Sequence, residues 1–373
     1  MKHPEILIVA GEVSGDIHGG NLLRELVRIV PEIRVFGVGG DRLLSAGLDP
    51  VATTDDLAHM GLVEVLHELP RIRRVMLDLV GEVEKRRPDL AVLIDSPDFN
   101  LRLAKRLRQR GVPVVLYVSP QLWAWRSSRV RQVRRLAEEV LCILPFEVPF
   151  YEERGVRARY VGHPLVDEIA RVGLLQQPKA RVDGRLGLLP GSRTMEVRQL
   201  LPVMLRALER MPVEQVNDAV LVEAPGMAQA IDTVLDQCGS DRRMRRITGE
   251  SRRRELAASS LAWTASGTAT LECALLGVPM VVGYRLQALS FAIARLLVRV
   301  PNAALVNLIA GSTIAPELLQ KAWEPQGLAA ISTGLLADGT EMQRAKLVEV
   351  RERLGSPGAS RRAAEAVAEH LTR

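Results

Sequence analysis

Aromatic residues make up only 3% of this 373-residue chain, beside 3 cysteines and 6 histidines. With so few aromatics, apolar burial must rest on Leu, Val, Ile and Ala, and the stacking positions that an RNA-binding surface interleaves with its basic residues are missing. Nucleic acid is therefore not expected as a partner. Cys142, Cys238 and Cys273 stand far apart in apolar or small-residue company, with no CxxC or Cys/His spacing. They point to no metal site or disulfide framework and read as packing residues in a reducing compartment. No window approaches the roughly 20 uncharged apolar residues of a spanning helix. The most apolar run, Ala288 to Val298, is short and contains Arg295. The start, His3-Pro4 followed by Glu5-Ile6-Leu7-Ile8-Val9-Ala10, reads as a strand rather than a signal peptide. The expectation is a cytoplasmic protein whose membrane contact is at most peripheral.

What is present is ordinary for a globular enzyme: 47% hydrophobic and 25% charged residues exclude wholesale disorder. A chain of this length exceeds what one core usually organises, so two domains are expected, with a cleft between them. The net charge of +6 and isoelectric point near 9.5 suit a phosphorylated small molecule or an anionic membrane surface. Short apolar runs alternate with segments of helical period, the pattern of doubly wound α/β domains. Strands are predicted at Ile6 to Ala10, Val35 to Val38, Leu90 to Ile94, Val114 to Val118, Val140 to Ile143 and Ala158 to Val161. A stretch without periodicity, Gly173 to Gly184, reads as a linker. A second series follows at Leu186 to Leu189, Ala219 to Glu223, Leu261 to Thr264 and Met280 to Gly283. The final segment from Glu341 is predicted to be two helices broken at Gly355-Ser356-Pro357-Gly358.

Ligands of open α/β sheets sit beyond the carboxyl ends of the strands, so the residues after each strand are the candidates for chemistry. After the first strand comes Gly11 to Gly20, read as a glycine-rich turn that brings backbone amides to a ligand, with Gly15 and Asp16 at the substrate, or as a tight strand-to-helix connection with no ligand. It matches neither GxGxxG nor the P-loop pattern. His18 within it is either a proton-transfer group or a loop histidine. After Ile94 come Asp95 and Asp98. Asp95 is read as a helix N-cap or a proton acceptor, and Asp98 as the general base or an anchor for the acceptor. The pair lacks the further ligands a metal site needs. Trp123 and Trp125 follow another strand, one of them expected in the core, and the arginines from Arg126 to Arg135 recur as on a solvated face or an anion-binding surface. In the second half, Gly191, Ser192 and Arg193 open a helix suited to a diphosphate. Ser266, Gly267 and Thr268 open another, with Glu272 a turn later placed to accept ribose hydroxyls.

Together these segments resemble the lipid A disaccharide synthase family, inverting glycosyltransferases of the two-domain, Rossmann-like GT-B architecture. The resemblance runs through AGEVSGDIHGG from Ala10, MGLVEVL from Met60, IDSPDFN from Ile94, SPQLWAWR from Ser119, LPFE from Leu144, GHPLVD from Gly162, LPGSR from Leu189, SGTATLECAL from Ser266 and PMVVGYR from Pro279. It implies transfer from UDP-2,3-diacylglucosamine to the 6-hydroxyl of 2,3-diacylglucosamine 1-phosphate, giving a β-1,6-linked disaccharide 1-phosphate and UDP, with no cofactor and no metal. It implies Asp98 as base, and Arg193 with Ser266, Thr268, Thr270 and Glu272 at UDP. Tyr284, Asn307, Glu317 and Gln320 would face the donor. Residues 1–172 would bind the acceptor and lipid, residues 185–345 the donor, and a helix within 346–373 would return to the first domain. Val306 and Asn302 depart from the residues usual in the family. Met60 to Val80, with Leu62, Val63, Val65, Leu66, Arg71, Arg73 and Arg74, is read as the surface for acyl chains and the inner leaflet, or as a core-facing helix. A homodimer is compatible with this reading. The alternatives are another UDP-sugar enzyme of the same architecture, such as a 2-epimerase, and a non-catalytic UDP-sugar sensor.

Overall fold

The computed structural model describes residues 3–57, 65–125, 127–175, 181–239, 241, 243–285 and 302–372. They form two compact units, Met1–Asp167 with Ser356–Arg373, and Glu168–Gly355. The first break falls inside the helix Pro164–Arg171, before the stretch expected to be a linker. The return falls at the predicted Gly-Ser-Pro-Gly break, so the helix Thr340–Leu354 stays with the second unit.

The first unit holds a seven-stranded sheet in the order β3-β2-β1-β4-β5-β6-β7. Its strands are β1 (Glu5–Ala10), β2 (Arg34–Gly39), β3 (Asp49–Thr53), β4 (Leu90–Ile94), β5 (Val114–Tyr117), β6 (Glu139–Cys142) and β7 (Ala158–Tyr160). The second holds a six-stranded sheet, β10-β9-β8-β11-β12-β13. Here β8 is Arg185–Leu189, β9 Asp218–Val222, β10 Met244–Ile247, β11 Leu261–Ala265, β12 Met280–Tyr284 and β13 Glu317–Leu319. Every pairing is parallel. The strand order reverses beside β1 and β4 in one sheet and beside β8 and β11 in the other, the switch points where doubly wound folds hold ligands.

Burial on both faces explains why the central strands are continuous apolar runs. Along β1, Leu7 and Val9 join the core beneath the helices Val65–Arg86, Pro97–Arg108 and Val130–Leu136. Ile6, Ile8 and Ala10 join the opposite core, beneath Val13–Ile29 and Ala359–Leu371. The strands that the pattern did not predict, β3, β10 and β13, all lie at sheet edges and are short and partly exposed.

The helix Ala359–Leu371 is fixed at both ends. The Asp167 carboxylate accepts from the amides of Gly358 (2.5 Å), Ala359 (3.2 Å) and Ser360 (3.2 Å), which supplies the negative charge a helix start favours. At the other end Glu139, 1% exposed, meets His370 Nε2 at 2.8 Å and Arg159 Nε at 3.0 Å, while Arg159 also grips Glu369. Burial pushes the Glu139 carboxyl up, but the His370 hydrogen bond and the Arg159 and Arg157 charges outweigh it and hold it below its ordinary 4.5. The stability it contributes is therefore present above pH 4.5 and is lost as pH falls through the lower folded value. Glu139→Gln is expected to cost about 2–3 kcal/mol near neutral pH, since it leaves charged partners without their buried counterion. It should also flatten the acid limb of the urea-unfolding pH profile. An unchanged midpoint in urea would remove the anchoring role.

Candidate active site

At the switch point of the first sheet, the expected glycine-rich turn is helix instead: Val13–Ile29 starts directly after Gly11 and Glu12. The glycines serve close packing. A Cβ at Gly19 would lie 2.9 Å from Ile94 Cδ1, one at Gly20 would lie 2.7 Å from the Arg42 carbonyl, and one at Gly15 would stand 3.4 Å from Ala10 Cβ. This lets the helix lie against β1 and β4 and aims its N-terminus along the strand ends. Asp16, expected at the substrate, is buried. Its Oδ1 accepts from the Gly40 and Leu43 amides (2.8 and 3.0 Å) and its Oδ2 from the Arg42 amide (3.0 Å), so the carboxylate organises the neighbouring loop. His18 is half-buried, edge-on to Tyr117 with ring centres 6.4 Å apart. His163, in the GHPLVD stretch, accepts from the Leu165 amide at Nδ1, which puts the proton of the neutral ring on Nε2. Burial, with His18 adding to it, pushes its pKa down to about 3, so it is neutral at neutral pH.

The turn after β4 carries two consecutive left-handed residues, Asp95 (φ 52°) and Ser96 (φ 42°). Non-glycine residues take that conformation only when their surroundings hold them there. Asn100, 1% exposed, does so, its Nδ2 donating to the carbonyls of Ile94 (3.1 Å) and Asp95 (2.7 Å). The helix Pro97–Arg108 then begins with Ser96 at its N-cap and no capping side chain, so Asp95 does not cap it. Instead Asp95 Oδ2 lies 3.5 Å from Ser14 Oγ. Asp98, in the first turn, keeps 54% of its side chain exposed and receives Arg129 Nη1 at Oδ1, 2.6 Å away. Sequence reading did not reach this partner, which comes from the arginine run expected on a solvated face.

In the second unit, β8 ends in Pro190-Gly191-Ser192-Arg193, and the helix Thr194–Leu208 follows with Arg193 as its N-cap. Gly191 has φ +120°, and a Cβ there would meet the Glu196 carboxylate at 2.4 Å. That carboxylate accepts from the Ser192 amide (3.0 Å) and closes the loop, leaving the Arg193 side chain 81% exposed. After β11, Gly267 (φ +134°) precedes the helix Thr268–Leu276 with open space where a Cβ would be. Tyr284, at the end of β12, is within electrostatic reach of this region: burial pushes its phenol up, Glu196 adds to the rise and Arg193 opposes it. Strand order and register therefore gather Gly191, Ser192, Arg193, Ser266, Gly267, Thr268 and Tyr284 along one edge.

Several residues expected at the donor are occupied by the fold. Thr270 is fully buried and donates to the Gly267 carbonyl (2.7 Å). Glu272 receives Arg253 Nε (2.7 Å), and the same guanidinium reaches Glu168. Asn307, fully buried, donates to Glu317 and the Ala315 carbonyl and accepts from the amides of Ile314 and Ala315. Glu317 accepts from the amides of Ala303 (2.8 Å) and Ala304 (3.1 Å), and Ser266 Oγ donates to the Ala303 carbonyl (2.9 Å). Asn307 and Glu317 thus shape the loop facing Ser266. Gln320 follows β13 in left-handed backbone (φ 54°). Among the described residues no three His, Cys, Asp or Glu side chains converge as metal ligands.

This division of labour is measurable. Asn307→Ala strands two buried amides and should lower stability by about 2–4 kcal/mol. Arg193→Ala, whose side chain lies mostly in solvent, should stay within about 0.5 kcal/mol of the parent. Urea unfolding of both variants checks the contrast, and a large loss in the arginine variant would make Arg193 a structural residue.

The sequence profile described as lipid-A-disaccharide synthetase matches residues 6–370. The chain is 45% identical to the lipid-A-disaccharide synthase of Anaeromyxobacter dehalogenans (strain 2CP-C), covering 97% of this chain and 96% of that one. It is 42% identical to that of Myxococcus xanthus, covering 99% and 98%. Among solved structures, the calicheamicin glycosyltransferase superposes with a TM-score of 0.63 at 16% identity over 100% of this chain and 99% of its own. The Neisseria meningitidis UDP-GlcNAc 2-epimerase bound to UDP-GlcNAc gives 0.61 at 12% identity over 99% and 100%. These two likenesses concern the fold, which is two Rossmann-like domains of the GT-B kind. On the full-length profile match and the identities above 40%, the chain belongs to the lipid-A-disaccharide synthase family.

Proposed function

We propose that this chain joins UDP-2,3-diacylglucosamine to 2,3-diacylglucosamine 1-phosphate, forming the β-1,6-linked lipid A disaccharide 1-phosphate and UDP. Family membership supports the reaction. The observation that supports the assignment of residues is that the two switch points carry opposite chemistry. One offers an accessible carboxylate, Asp98, beside Arg129. The other offers two glycine-bent helix starts and an exposed guanidinium, Arg193, suited to an anion.

In this reading Asp98 removes the proton from the acceptor 6-hydroxyl as its oxygen bonds to the donor's anomeric carbon. The bond from that carbon to the diphosphate breaks on the opposite face, inverting the configuration, and UDP leaves with the electron pair. Arg193 and the amides at the two helix starts take up the charge growing on the diphosphate, the role a divalent cation plays elsewhere. No metal is required for the step so drawn. The first unit serves the acceptor and the second the donor.

Membrane contact is also proposed, at the inner leaflet and peripheral. No helix among the described residues is long and apolar enough to cross a membrane. On the helix Val65–Arg86, Pro70, Arg73, Arg74, Leu77 and Asp78 line an open depression of about 450 Å³, with Leu77 52% exposed. Leu62 and Val63 lie outside the described residues, as do the side chains of Val65 and Leu66. An exposed apolar residue one helical turn from two arginines suits acyl chains under anionic headgroups.

EDTA-treated protein given both substrates should yield disaccharide and UDP together by mass spectrometry. Asp98→Asn should lower turnover by about two to four decades while UDP binding survives. UDP without disaccharide would mean hydrolysis, a C2-epimerised sugar would mean an epimerase, and turnover unchanged in Asp98→Asn would end the base assignment. Reversing Arg73 and Arg74 to Glu should weaken sedimentation with phosphatidylglycerol vesicles by about tenfold or more, given about 1 kcal/mol for each basic residue at such a surface. Equal sedimentation would place the contact elsewhere.

A further inference from the structure

One carboxylate takes no part in this chemistry and yet sits buried at the strand ends that carry it. Glu147 opens the helix Glu147–Glu152, in the LPFE stretch past β6, and is 1% exposed. Its Oε1 accepts from Ser119 Oγ (2.6 Å) and Trp123 Nε1 (3.1 Å), and its Oε2 from the Leu144 amide (3.1 Å). Burial pushes the carboxyl up to about 7 against the pull of these bonds. The donors belong to two loops: Ser119 and Trp123 follow β5, and Leu144 follows β6. Trp123 also stands edge-on to Phe146, with centres 4.9 Å apart, and Tyr151 Oη donates to the Pro120 carbonyl (2.8 Å).

The clamped loop leads to Arg129, the partner of Asp98. Asp98 arrives from β4 and Arg129 from β5, and the helix after Arg129, Val130–Leu136, packs on the helix that bears Asp98. The segment that donates to Glu147 thus runs on to Arg129, so the pair is bounded by the Glu147 contacts on one side and by this helix packing on the other.

We propose that Glu147 is a positioning residue for the transfer, which clamps the loop after β5 through Ser119 and Trp123 and so sets Arg129 against Asp98. The proposal rests on the reading of Asp98 as the base. A displacement of about 1 Å at a reacting group costs on the order of a hundredfold in rate. Glu147→Gln keeps the volume but turns one acceptor into a donor, so at least one of the three bonds is lost.

Steady-state kinetics on the full chain would compare Glu147→Gln, Arg129→Met, the double variant and Asp98→Asn. The Glu147→Gln variant is expected to lose about ten- to hundredfold in kcat, with KM for the UDP-sugar within about twofold. The double variant should fall no more than about twofold below Arg129→Met alone, because both changes act on the same geometry. Losses that multiply in the double variant overturn the proposal, as does a Glu147→Gln kcat equal to that of the native chain. Normal turnover in Asp98→Asn overturns the base reading and the clamp with it. Turnover lost in Asp98→Asn but kept in Glu147→Gln overturns the clamp alone. If Glu147→Gln does not fold, Ser119→Ala removes one donor, leaves the carboxylate its other two, and carries the same comparison with Arg129→Met.

Discussion

Successive parallel strands require the chain to cross back over the sheet between them, so within each sheet the strands all point their carboxyl ends to one edge. Loops that begin far apart in sequence are thereby collected along one edge. Asp95 after β4 adjoins Ser14 after β1, and Ser119 after β5 shares the Glu147 carboxylate with Leu144 after β6. The same rule in the second unit sets Arg193 beside Ser266 and Tyr284. Strand burial on both faces makes this arrangement stiff, since Ile6 through Ala10 and Leu90 through Ile94 have essentially no exposed surface. The edge can then hold backbone conformations that isolated loops would abandon, as at Asp95, Ser96, Val118 and Gln320.

Charge is distributed to match. Carboxylates that face inward in the first unit, Asp16, Asp167 and Glu147, each accept from two or more donors and are consumed by loops and helix ends. Asp98 differs, with about half of its side chain in solvent. In the second unit the pattern inverts: Glu196, Glu272 and Glu317 are tied down, while Arg193 reaches outward. Each exposed group keeps one partner of opposite charge, Asp98 the Arg129 guanidinium at 2.6 Å and Arg193 the Glu196 carboxylate at 3.4 Å, with the rest of its side chain open to solvent.

The central strands were legible because burial on both faces writes itself as unbroken apolar sequence, whereas β3, β10 and β13 are edge strands that need no such run. The helix starts at Arg193 and Gly267 were also legible, from Gly, Ser and Thr after an apolar stretch. Gly11 to Gly20 misled because glycine marks a turn and a tight helix–sheet contact equally, and only the neighbours Ile94, Leu43 and Arg42 decide between them. Asn307 and Glu317 carried the residue types of a binding site, and their hydrogen bonds to each other and to the backbone of residues 303–304 and 314–315 leave no local period in the sequence. Arg129 lay hidden because a contact between residues 31 positions apart leaves no local period.

The helix Ala359–Leu371 closes one face of the first sheet, covering strands made long before it during synthesis. Until those residues leave the ribosome, Ile6, Ile8, Val92 and Leu141 lack the Ala363, Ala364 and Val367 surface that completes their core. The intervening unit, Glu168–Gly355, is continuous and meets no such delay. The half of the molecule made first is thus the half completed last, and truncation at the carboxyl end exposes its apolar core.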